Sequence, residues 1–108
     1  MPTFTYHAKI RVDLQKFSSG DELLKGWLAE AEAAQKGIKS GAFQIWKDAA
    51  EPVVYSIINI EADNAAQASL NLYKAALSLP FGKAGQFVVE EITPVIPYQE
   101  WADTLANA

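Results

Sequence analysis

Within the stretch TYHAKIRVDL, a histidine and two cations recur at every second position, as His7, Lys9 and Arg11. In an extended chain successive side chains alternate between faces, so these three share one face while Tyr6, Ala8, Ile10 and Val12 share the other. Histidine is the side chain best suited to giving and taking protons near neutral pH, and a neighbouring ammonium can stabilise the charge that develops when a proton leaves. The candidate chemistry is therefore general acid-base catalysis beside a fixed cation. The face that carries it is either open to water or the lining of a site.

Composition narrows what else the chain can do. With 108 residues, half of them hydrophobic and a fifth charged, the sequence predicts one globular domain spanning residues 1–108. A net charge of -4 opposes binding to a polyanion, which depends on clustered Lys and Arg, so no nucleic-acid partner is expected. The absence of cysteine excludes disulfides, thiolate catalysis and thiolate metal sites, and a single histidine excludes a multi-histidine centre within one chain. No metal and no organic cofactor is expected. The opening MPTFTYHAKI lacks a basic segment followed by an apolar run, and no apolar stretch reaches about 18 residues, so the expectation is a cytoplasmic protein without membrane insertion.

The elements that must position the basic face follow from periodicity. A first strand is expected from about Phe4 to Leu14. SSGDELLKGWLAEAEAAQKG then reads as a helix, with Ser19 and Glu22 as a capping box, Gly37 at its end, and Leu24, Trp27 or Leu28, Ala31 and Ala34 on the buried face. GAFQIWKD predicts a short strand, and AAEP separates it from VVYSIINIEA, a strand apolar enough to be covered on both sides. DNAAQASLNLYKAALS predicts a second helix, capped by Asp63 or Asn64, with Ala66, Leu70, Tyr73 and Leu77 as its stripe and Pro80 as its stop. GQFVVEEITPVI is a closing strand in which Pro94 demands an edge or a strand end. PYQEWADTLANA predicts a short terminal helix from Pro97, with Trp101 and Leu105 on one side.

The resulting order predicts an α+β fold of the split βαβ kind, βαββαβ, with four antiparallel strands and both helices on one face. The other face is expected to expose Val, Ile, Phe and Trp over several hundred square ångströms. A second copy of the same sheet, related by a two-fold axis, is the simplest cover.

FTYHAKIRVDL resembles the opening strand of the muconolactone isomerase family, with an aromatic residue, His, an apolar residue and Lys. SGAFQIWKDAAEPVVYSIINIEA is similar to that family's middle hairpin, and LSLPF with FVVEEITPVIP is similar to its Leu-Pro stretch and closing strand. The chain departs from the family pattern at Lys47, where arginine is usual, and at GKAGQ after LPF. The resemblance implies a ferredoxin-like dimeric α+β barrel, a homodimer of facing sheets open to further assembly as a ring of dimers. It also implies cofactor-independent isomerisation of a small unsaturated lactone by proton abstraction and return.

On that reading His7 and Lys9 are the candidate catalytic residues. Their spacing of roughly 6.5 to 7 Å matches the length of a substituted five-membered lactone. His7 would move the proton, Lys9 would stabilise the enolate oxygen, and Lys9 or Arg11 would hold a substrate carboxylate. Arg11, Trp46, Tyr55 and Glu90 are the candidate substrate-binding residues. The fold places the last strand beside the first, so Glu90 or Glu91 is expected near Lys9; as neighbours in one strand, the two glutamates are expected on opposite faces.

Plainer readings accompany these. His7 and Lys9 also suit a hydrogen-bonded dimer contact, Trp46 and Tyr55 suit packing, and Trp27 is expected in the core. A ligand-binding or structural dimer, and a cofactor-independent monooxygenase-like enzyme, remain alternatives to the isomerase. An RNA-recognition role fails because VVYSIINI lacks the aromatic and basic motif of that strand.

Overall fold

The computed structural model describes all residues from Met1 to Ala108. Strands β1 (Thr3–Val12), β2 (Phe43–Lys47), β3 (Val53–Glu61) and β4 (Phe87–Val95) alternate with helices α1 (Gly20–Ser40) and α2 (Ala65–Ser78). A short helical turn, α3 (Pro80–Lys83), precedes β4, and α4 (Tyr98–Ala106) ends the chain. The strands form one antiparallel sheet in the order β2-β3-β1-β4. This is the ferredoxin-like βαββαβ arrangement, with the last strand beside the first as expected.

Alternation in β1 sorts the two faces. Tyr6, Ala8 and Val12 are buried against the helices, and Tyr6 joins Ala62, Ala68 and Leu72 in the core, with Phe4, Ile58, Ile60 and Ile92 around it. Pro94 lies in β4, an edge strand, as a residue without a backbone N–H requires. The helix ends obey capping rules with small changes of partner. The Ser19 hydroxyl accepts from the Glu22 N–H at 3.1 Å, while the Glu22 carboxylate reaches back to the N–H of Ser18 at 2.7 Å. Asn64, one of the two expected caps, accepts from the N–H of Gln67.

Helix α1 does not stop at Gly37. It runs to Ser40 and is closed by Gly41 in the left-handed conformation, φ 77°. Gly37 has another task, because a β-carbon there would overlap the ring of Phe43 on β2. Pro80 both bars continuation of α2 and opens α3 as its first residue.

The buried helix faces also differ from the expected stripes. On α1 Ala34 is buried and Leu23, Trp27 and Glu30 are half-buried, whereas Leu24 and Leu28 are about three-fifths exposed. On α2 the buried residues are Ala68 and Leu72, and Leu70, Tyr73 and Leu77 face outward. Small residues let the helices lie close to a sheet whose own side chains are bulky, so the larger apolar side chains are turned out. Trp27 packs edge to face on Phe81 at 5.1 Å between ring centroids, and Phe17 does the same at 5.7 Å. Only 11 of 108 residues are buried, so one chain leaves much of its apolar surface uncovered.

Helix α4 is part of that uncovered surface, with Tyr98, Trp101 and Leu105 all exposed. The chain measures 56 × 27 × 24 Å with a radius of gyration of 15.7 Å, against about 13 Å for a compact domain of this length. No helix is long and apolar enough to cross a membrane.

Candidate functional site

The side of the sheet away from the helices carries the candidate residues. Directly paired residues of neighbouring strands share a face. One row across the sheet is therefore Trp46 on β2, Tyr55 on β3, Lys9 on β1 and Glu91 on β4; the next is Gln44, Ile57, His7 and Thr93. Arg11 extends the same face along β1. His7 is thus not between the helices and the sheet. It stands half-exposed on the open face, between Ile57 and Thr93, and its imidazole makes no hydrogen bond within the chain.

The open face is more polar than expected. Trp46, Tyr55, Ile57, Val88 opposite Arg11 and Val95 opposite Thr5 supply apolar surface, but the phenylalanines of the strands are all on the helix side: Phe4 at the core, Phe43 on Gly37, and Phe87 beside Gly82. The remainder is largely Thr, Asn, His and charged side chains.

A β-bulge decides how the two glutamates lie. The register of β1 with β4 slips between Lys9 and Ile10, so that Lys9 faces Glu91 and Ile10 faces Val89, leaving Glu90 without a partner in the ladder. Glu90 consequently turns its carboxylate onto the open face, where it bonds Nε of Arg11 and approaches Nζ of Lys9 at 3.6 Å. Glu91, opposite Lys9, accepts a hydrogen bond from the Thr93 hydroxyl at 3.0 Å. Strict alternation would separate neighbours; the inserted residue brings both to one side.

Sequence reasoning missed Glu51. From the loop between β2 and β3 it accepts from Nη1 of Arg11 at 2.7 Å, so the guanidinium is held between two carboxylates. Those hydrogen bonds, Glu51 first and Glu90 second, raise the Arg11 pKa further above its ordinary value. In return Arg11, helped by Lys9, holds the Glu90 carboxyl below the usual carboxylate range.

That loop is itself fixed. Asp48 accepts from the N–H groups of Glu51 and Ala50, both at 2.9 Å, which lowers its pKa, and it also accepts from the Tyr55 hydroxyl at 3.2 Å. Lys47 donates to the carbonyls of Asp48 and Glu51, each at 2.6 Å, and its ammonium stands 5.5 Å from the Trp27 ring. The residue that departs from the family pattern therefore locks the hairpin and rests on the helix side. The signal for Glu51 was an acidic residue one hairpin turn from the strand that pairs with Arg11.

Two surface hollows lie near this face. One of about 640 Å³ is lined by Thr3, Thr5, Asn59, Glu61, Pro97 and Glu100 among others, between the sheet end and the start of α4. A smaller one of about 350 Å³ adjoins Arg11, Leu14, Pro52 and Val88. Neither contains His7. No group of three or more His, Asp or Glu side chains is placed to hold a metal ion.

All six candidates, His7, Lys9, Arg11, Trp46, Tyr55 and Glu90, stand on one side of one sheet. An imidazole and an ammonium with two aromatic rings on the strands to one side can move a proton and stabilise an oxyanion on a ring laid across the strands. Among known proteins, no family model matches the chain and no curated protein is significantly similar to it. What is shown is the ferredoxin-like fold.

Proposed function

We propose that the protein is a cofactor-independent proton-transfer isomerase, similar to the muconolactone isomerase family, that shifts a double bond in a small oxygenated ring compound such as an unsaturated lactone. The supporting observation is the row-by-row arrangement of His7 and Lys9 beside Trp46 and Tyr55 on one open face. His7 takes a proton from the γ-carbon of the α,β-unsaturated lactone. Lys9 stabilises the resulting dienolate oxygen, and the protonated imidazole returns the proton to the α-carbon, so that the double bond moves from the α,β to the β,γ position. Trp46 and Tyr55 carry the ring.

The working form is a homodimer in which a second sheet roofs the open face, as in dimeric α+β barrels. Trp46, Val88 and Val95, exposed on that face, support this, and the larger apolar surface left uncovered on the outward sides of α1, α2 and α4 accommodates further assembly of dimers. Sedimentation at micromolar concentration is expected to give a dimer, and a stable monomer would contradict it.

A second reading is a small-ligand-binding or structural dimer without chemistry. It is favoured by one feature: nothing in the chain orients the His7 imidazole, as a partner commonly does for a catalytic base. Turnover of a panel of unsaturated lactones by wild type and His7→Ala separates the two. The isomerase reading expects rate loss of about 10²- to 10⁴-fold with the dimer intact. A His7→Ala variant with full turnover removes His7 from the mechanism, and turnover that requires oxygen turns the assignment to a monooxygenase.

A further inference from the structure

The charged side chains of the open face name the ligand class more narrowly than the fold does. We infer that the site on this face takes an uncharged ring compound and discriminates against the corresponding carboxylate. This rests on the reading of the face as a ligand site.

Both cations that might receive a carboxylate already have one. Arg11 uses Nε on Glu90 and Nη1 on Glu51. Lys9 shares Glu90 at 3.6 Å and faces Glu91 across the β1–β4 ladder. Around Lys9 and Arg11, two cations against the three carboxylates of Glu51, Glu90 and Glu91 leave one negative charge in surplus, in a chain that is itself at -4. The hydroxyls point the same way: Thr93 donates to Glu91 and Tyr55 to Asp48.

An incoming carboxylate would have to displace one of these acids or lie against them without a free cation. An incoming ammonium would have to compete with Lys9 and Arg11 for carboxylates that these two already engage. A neutral ring incurs neither penalty: it can lie on Trp46, Tyr55 and Ile57 and present a carbonyl oxygen to Lys9 without breaking the Arg11 pairs. A two-fold partner closing over the face would repeat the surplus negative charge rather than cancel it.

The bulge makes this a property of the backbone. Without the register slip, Glu90 would point to the helix side and Lys9 would lose its nearest carboxylate. Glu90 is therefore a specificity-determining residue acting through Lys9 and Arg11.

The test is a calorimetric comparison of a butenolide-acetic acid with its methyl ester, on wild type, Glu90→Gln and Glu51→Gln. Wild type is expected to bind the ester at least about tenfold more tightly than the acid. Each variant removes one carboxylate and should narrow or reverse that ratio, chiefly by tightening the acid. Tighter binding of the acid by wild type, or a ratio unchanged in both variants, overturns the inference and leaves the isomerase reading standing. Failure of wild type to bind either compound overturns both.

Discussion

Glu90 lies outside the strand ladder and holds Arg11 across the β1–β4 boundary, although the two are 79 residues apart in sequence. Pairing depresses the Glu90 pKa below its ordinary 4.5, so its stabilising effect is present above that value and is lost as pH falls through the folded-state value. Denaturation of wild type and Glu90→Gln should therefore show a small stability gap at neutral pH that closes in acid. A gap independent of pH would mean that ionisation of Glu90 contributes nothing. The gap is expected to be small because both partners are about a third exposed.

Glu30 has the opposite sign. It is half-buried on α1 and leaves a carboxylate oxygen buried without a partner. Burial raises its pKa, so ionisation above that value weakens the fold, and stability is greatest where the group is protonated. Glu30→Gln should be stabilising at neutral pH, by less than about 1 kcal/mol once solvent screening is allowed for, and neutral in acid. Urea midpoints at the two pH values would show it; destabilisation at neutral pH would contradict it.

Gly37→Ala sets helix propensity against packing. Alanine favours a helix interior by about 1 kcal/mol over glycine, yet its β-carbon would meet the Phe43 ring where α1 crosses β2. Overpacking of this kind costs about 1–3 kcal/mol, so the variant should be less stable than wild type. At Gly20 nothing lies within 4 Å of an added β-carbon, and Gly20→Ala should be near neutral or slightly stabilising. If both variants gain stability, the close approach at Gly37 is not as described.

Strand order, helix positions and the shared face of His7, Lys9 and Arg11 were all legible, because alternation and capping are local and each is repeated over many residues. What escaped depended on pairing or on contact with another element. Nothing local marks Glu90 as the bulged residue; the slip exists only relative to β1. The stripes Leu24–Leu28 and Leu70–Tyr73–Leu77 are real amphipathic signals, yet one chain buries Ala34, Ala68 and Leu72 instead. Periodicity reports which side chains favour burial, while the close fit of helix to sheet decides which of them one chain can cover. Glu51 escaped for the same reason as the bulge at Glu90, because its partner lies 40 residues away in sequence.

The claim that the open sheet face is a working ligand site is tested most directly at His7, the chain's only histidine, whose labelled imidazole gives one assignable set of NMR signals. On addition of uncharged unsaturated lactones those signals should shift in a saturable way, together with the Trp46 indole and not the Trp27 indole. Imidazole signals indifferent to every compound in the panel would contradict the account, leaving a ferredoxin-like fold whose basic strand face does no chemistry.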